Sequence, residues 1–196
     1  MKRPYAIGVG LLVVGLVGLQ YSSNAAQTGA GWNTLFDGSS LAGWNTVGDA
    51  NWRLAEGAVE ADKGTGFLVT QASYGDFQLK VEFWVDADAN SGVLFRCSDP
   101  KQISPTTAYE VNINDKRPDP TYGTGAIVNV GKQAANINTG GHWNTYEITA
   151  QGPHLTVTLN GMLTVDVQNS AHARGPIALQ YAAGIVKFRN VQIRTS

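Results

Sequence analysis

Residues 76–86 read DFQLKVEFWVD. Phe77, Leu79, Val81, Phe83 and Val85 occupy alternate positions, with Gln78, Lys80, Glu82, Trp84 and Asp86 between them. A period of two is the signature of a strand with one buried face, because successive side chains leave opposite sides of the pleat. A helical stripe would also need apolar residues three positions on. Three beyond Phe77, Leu79 and Phe83 stand Lys80, Glu82 and Asp86 instead.

The same alternation recurs along the chain. In SGVLFRC (91–97), Val93, Phe95 and Cys97 are expected inside, with Leu94 and Arg96 opposite. In AYEVNIN (108–114), Tyr109, Val111 and Ile113 point in while Glu110, Asn112 and Asn114 point out. Further strands are predicted over 51–61, 66–69, 126–130, 143–150, 155–167, 177–181 and 185–194. Asn160-Gly161 marks a hairpin. A two-residue loop would set Leu159 beside Met162 and put Val157 on a face with Thr164 and Asp166. A three-residue loop with Gly161 in a bulge aligns Leu155 and Val157 with Leu163, Val165 and Val167, and is the expected form. About a dozen short strands without a helix, in a chain with 23 glycines, predict an all-β sandwich or barrel.

The first residues follow another rule. Lys2 and Arg3 precede an apolar run from Ala6 to Leu19, then polar 20–24 and Ala25-Ala26. That order predicts a secretory signal peptide over 1–25, cleaved after Ala25. The run is shorter than the roughly 20 residues of a spanning helix, so no membrane association is expected after cleavage. Residues 26–30 are a short linker, and 31–196 form one domain. A periplasmic or secreted location follows.

Losing Lys2 and Arg3 leaves 12 of 14 cationic residues against 15 acidic ones. A mildly acidic chain without a basic stripe excludes nucleic acid as partner. Cys97 is the single cysteine, so no internal disulfide forms. With His142, His154 and His172 scattered, no zinc-type ligand spacing exists. Asp86, Asp88 and Asn90 superficially resemble a calcium loop but lack the rest of one, and read as a turn. No cofactor is predicted; the chemistry admits a divalent cation, but no motif supports one.

Eight pieces in order carry a resemblance: GWNTLFDGSSLAGW (31–44), YGDFQLKVEFW (74–84), NSGVLFR (90–96), YEVNIND (109–115), GTGAIVN (123–129), GHWNTYEITA (141–150), LTVTLNG (155–161) and GPIALQYAAGIVKFRNVQI (175–193). Together, from 31 to 194, the chain resembles the 3-keto-disaccharide hydrolase domain family of the concanavalin A-like lectin/glucanase superfamily. The resemblance implies a jelly-roll β-sandwich of two antiparallel sheets, one curved, with carbohydrate on the concave face. It also implies an exported bacterial protein acting on sugars oxidised at C3, and hence a functional link to a sugar 3-dehydrogenase.

Cleaving a 3-keto glycoside needs a base for the acidified C2 proton, a positive group near the C3 oxygen and a donor for the C1 leaving group. The outward strand faces supply these types. Glu110 is the expected base, Arg96 the enolate stabiliser and Trp84 the stacking platform. Asp115, Tyr122 or His142 would give the acid from a rim loop. Glu82, Asn112, Tyr122 and Gln180 complete the expected sugar contacts, provided that these strands neighbour one another. The bland reading of Glu110 and Arg96 is a cross-strand ion pair. Laminarinase-type glycosidases carry E-x-D-x-x-E on a concave strand, whereas Glu110, Asn112 and Asp115 lack the middle acid and have the wrong parity for paired-carboxylate chemistry. A carbohydrate-binding module without turnover is the alternative function.

Overall fold

The computed structural model describes residues 31–195; the expected signal peptide (1–25) and linker (26–30) lie outside the described residues. Thirteen strands follow in order. They are β1 (Asn33–Phe36), β2 (Trp44–Gly48), β3 (Arg53–Ala55), β4 (Ala58–Ala61), β5 (Gly66–Thr70), β6 (Phe77–Val85) and β7 (Asn90–Phe95). After them come β8 (Tyr109–Ile113), β9 (Trp143–Gln151), β10 (His154–Leu159), β11 (Met162–Gln168), β12 (Ala178–Ala183) and β13 (Val186–Thr195). β1 and β2 have no counterpart in the sequence expectation. They are short, and their partners, β13 and β5, are distant in sequence.

The strands form two sheets, a jelly-roll sandwich. One has eight strands, ordered β11-β10-β9-β6-β13-β4-β3 with β1 also on β13; the other has five, ordered β2-β5-β12-β7-β8. Every ladder between named strands is antiparallel. The alternation read from β6 is realised: Phe77, Leu79, Val81, Phe83 and Val85 are all buried in the core between the sheets. Burying each such side chain contributes about 1.5–3 kcal/mol. Tyr146 of β9 crosses this core and donates its hydroxyl to the Asn112 carbonyl of β8 at 2.6 Å, tying the sheets together beside the candidate site.

Two local expectations are corrected. The β10–β11 hairpin is a two-residue turn, with Leu159 opposite Met162 and positive φ at both Asn160 and Gly161. The extra residue sits further on, at Thr164, where the register shifts between Val157 and Thr158; Leu155 then faces Val167 and Val157 faces Val165. The expected partners of Leu155 and Val157 are thus right, but the bulge lies in the strand rather than the turn. Segment 126–130 is not a full strand. It lies along β8 through the Val111–Ile127 bridge, with Val128 N–H donating to the Glu110 carbonyl, and so covers that sheet edge.

Among the described residues no helix is long and apolar enough to cross a membrane.

Candidate functional site

The outer face of the five-stranded sheet is built from two cross-strand rows. The register places Asn45, Val69, Ala178, Leu94 and Glu110 in one row, and Val47, Phe67, Gln180, Gly92 and Asn112 in the next. Gly92 has no side chain, so the second row is open between Gln180 and Asn112. Glu110 leans into that gap: a Cβ added at Gly92 would lie 3.1 Å from Glu110 Cγ and Oε1.

Glu110 is only 6% exposed. Leu94, fully buried although on the outer face, packs in a satellite cluster with Val69, Cys97, Ala108 and Ala178. Burial among such neighbours penalises the carboxylate and pushes the Glu110 carboxyl up to about 7; the charge of Arg117 works against the rise. No side chain makes an ion pair with Glu110 among the described residues. Beside it, Asn112 Nδ2 donates to the Tyr122 carbonyl at 2.7 Å, leaving Asn112 Oδ1 buried and without a partner among the described residues. Gln180 Oε1 is likewise buried and unpartnered. A carboxyl and two amide oxygens around one glycine are acceptors in search of donors, and sugar hydroxyls are donors.

The other expected residues fall elsewhere. Arg96 does not reach this face. Its φ of 52° breaks the alternation after Phe95, so Cys97 joins the outer cluster, and the expectation of Cys97 inside with Arg96 outside is reversed. The Arg96 guanidinium is buried at 1% exposure, bonded to the carbonyls of Gly75, Gly152 and His172 and paired with Asp76 at 3.0 Å. The expected ion pair with Glu110 is absent. Trp84 and Glu82 lie on β6, in the eight-stranded sheet, so their face is on the opposite side of the molecule and does not converge with Glu110. Neighbouring strands were the condition for convergence, and β6 instead pairs with β9 and β13.

Asp115 follows β8 and clamps the rim. It accepts bonds from Thr124 Oγ1, Thr139 N, Thr139 Oγ1 and Gly140 N. Tyr122 ends a 3-10 turn (Pro120–Tyr122) whose N-cap is Asp119, and meets the site through its backbone carbonyl. His142 is exposed beyond the clamp, its Nδ1 3.1 Å from the Gly140 carbonyl.

A residue given no role from sequence gains one here. Arg117 is half-buried, makes no ion pair among the described residues, and its charge is felt at Glu110. It lines a cleft of about 380 Å³ with Lys116, Gly123 and Gln133. A second cleft of similar size, lined by Asn45, Val69 and Cys97, opens at the other end of the face. Glu110 lines neither. Arg117 sits in a loop where alternation assigns no direction, so only the fold reveals its approach. Among the described residues no three His, Cys, Asp or Glu side chains gather as a metal site.

A family model described as 3-keto-alpha-glucoside-1,2-lyase-like domain matches residues 31–194. Two crystal structures from Parabacteroides distasonis, both provisionally named glycosyl hydrolases, are similar. One is 21% identical with a TM-score of 0.76, covering 85% of this chain and 95% of its own. The other is 27% identical with a TM-score of 0.73, covering 85% and 100%. A carbohydrate-binding module from Bacillus subtilis is 20% identical with a TM-score of 0.64, covering 78% and 96%. No curated protein sequence matches the chain. The family and the 27%-identical neighbour support a carbohydrate-related function, and the other two share the fold.

Proposed function

The chain belongs to the family of 3-keto-alpha-glucoside-1,2-lyase-like domains, and from that premise we propose that it cleaves 3-keto glycosides by eliminating across C1 and C2, with Glu110 as the base. The observation that carries this reading is the buried Glu110 carboxyl, raised to about 7 and set against the unpartnered oxygens of Asn112 and Gln180. A base works best when its pKa lies near the working pH, and burial has brought this one there.

The Glu110 carboxylate takes the C2 proton, and the C2–H electron pair forms the C2=C3 enolate, with negative charge on the C3 oxygen. The enolate collapses, C1=C2 forms, and the C1–O bond breaks with its electron pair on the leaving oxygen. That oxygen takes up a proton, and Glu110 releases its own for the next turnover. Water adding later across C1=C2 turns elimination into net hydrolysis. Arg117, a cation without an ion-pair partner among the described residues, replaces Arg96 as the group that stabilises the developing charge. Asn112 and Gln180 accept hydroxyls and orient the ring. A 3-keto substrate implies a supplying enzyme that oxidises a sugar C3 hydroxyl. The leader expected from the sequence supports a periplasmic or extracellular site for the reaction.

The test incubates the 31–196 chain with a 3-keto glucoside in D₂O and follows both C2 deuteration and release of the leaving alcohol. The expected result is release by the wild type, none by Glu110→Gln, and slower release with intact sugar binding by Arg117→Ala. Saturable binding without C2 exchange or release would instead establish the alternative, a carbohydrate-binding module that does not turn its ligand over.

A further inference from the structure

The face that the Glu110 site does not use carries a second hollow. On the outer side of the eight-stranded sheet, Arg53, Glu60, Lys187, Trp84 and Trp143 stand in one cross-strand row; beside it Ala55 pairs with Ala58, and Arg189 with Glu82, which pairs with Thr145. Ala55 and Ala58 are short, so the surface dips between the taller side chains around them. The dip is a cleft of about 210 Å³ lined by these alanines with Trp84, Trp143, Lys187 and Arg189. That is smaller than the roughly 300–1,000 Å³ of sites for drug-sized ligands.

Its lining is unusual for a solvated sheet face. Trp84 and Trp143 are direct cross-strand partners and both half-buried. Cations already lie over both rings, Lys187 Nζ 5.5 Å from the Trp84 centroid and the Arg189 guanidinium carbon 3.9 Å from that of Trp143. A further cation therefore has little to gain. An anion has little to gain either, because each of these cations has its own carboxylate: Lys187 pairs with Glu60 at 3.2 Å and Arg189 with Glu82 at 2.6 Å. Glu56 adds a further negative charge at the lip. Hydrogen-bonding capacity remains all the same. Arg189 uses only Nε, and its two terminal nitrogens have no partner among the described residues.

We propose that this hollow binds one unit of a neutral saccharide, independently of the Glu110 site and on the opposite sheet. A neutral sugar suits the lining on each count. Its C–H face covers indole surface, its hydroxyls accept from Arg189 and donate to Glu56, and it brings no charge to a balanced cluster. The chain would then hold a glycan by one face while the other works.

The test records indole N–H signals of the ¹⁵N-labelled 31–196 chain during titration with maltotetraose, cellotetraose and tetragalacturonate. Saturable shifts at Trp84 and Trp143 with a neutral probe are expected, with the core residue Trp44 unmoved. Ala55→Leu, which fills the hollow, and Trp84→Ala, which removes a wall, should each abolish the Trp143 shift without altering the remaining spectrum. The proposal is overturned if neither neutral probe moves these signals, if the Trp143 shift survives both variants, or if only the acidic probe acts.

Discussion

Replacing Glu110 by Gln should remove a specific pH dependence of stability. In the folded chain the carboxyl holds its proton up to about 7; released by unfolding, it ionises near its ordinary 4.5. Between those values the unfolded state binds fewer protons than the native state, so stability falls as pH rises and then levels off above about 7. The gap, at about 1.4 kcal/mol for each tenfold change in proton affinity, is worth about 3 kcal/mol. The wild type should therefore lose about 3 kcal/mol more than Glu110→Gln between about pH 4 and pH 8, every other group titrating alike in both. A constant offset from the buried amide cancels in this comparison. Urea denaturation of both proteins across that range measures the difference. The same titration should appear in function, with turnover of a 3-keto glucoside rising through about pH 7 as the base deprotonates. Parallel stability profiles would refute the reasoning, because Glu110 would then ionise at its ordinary value and have no claim as a base poised near neutrality.

Two further substitutions separate site from scaffold. Gly92→Ala brings a methyl to 3.1 Å from the Glu110 carboxyl and 3.2 Å from the rigid Val111 carbonyl, so the carboxyl must shift by a few tenths of an ångström. Turnover should drop by roughly tenfold or more while the melting temperature moves little; unchanged kcat would detach Glu110 from the chemistry. Arg96→Met takes the shared donor from the carbonyls of Gly75, Gly152 and His172 and leaves Asp76 without its ion-pair partner. It should destabilise the fold by about 2–5 kcal/mol in urea, with kcat of the folded fraction preserved; lost kcat at full stability would restore Arg96 to the reaction.

The alternation in DFQLKVEFWVD, SGVLFRC and AYEVNIN is a local property, and the faces it assigned to Phe77–Val85 and to Glu110 and Asn112 are those of the structure. Sequence also located the all-β class and the strand-rich regions from 51 to 61 and beyond 143, since pleat period and turn chemistry act over a few residues. It could not say which sheet a strand joins. Trp84 and Glu110 have the same outward parity, yet pairing with β9 and β13 carried Trp84 to the opposite side from β7, β8 and β12. Strand partnership is settled by contacts far apart in sequence, to which the period of two is blind. Alternation also fails wherever φ turns positive, as at Arg96, or a strand takes up an extra residue, as at Thr164. Arg117 and the gap above Gly92 belong to the same class. A loop direction and an absent side chain acquire meaning only when the chain has folded and Glu110 has a neighbour to lean on.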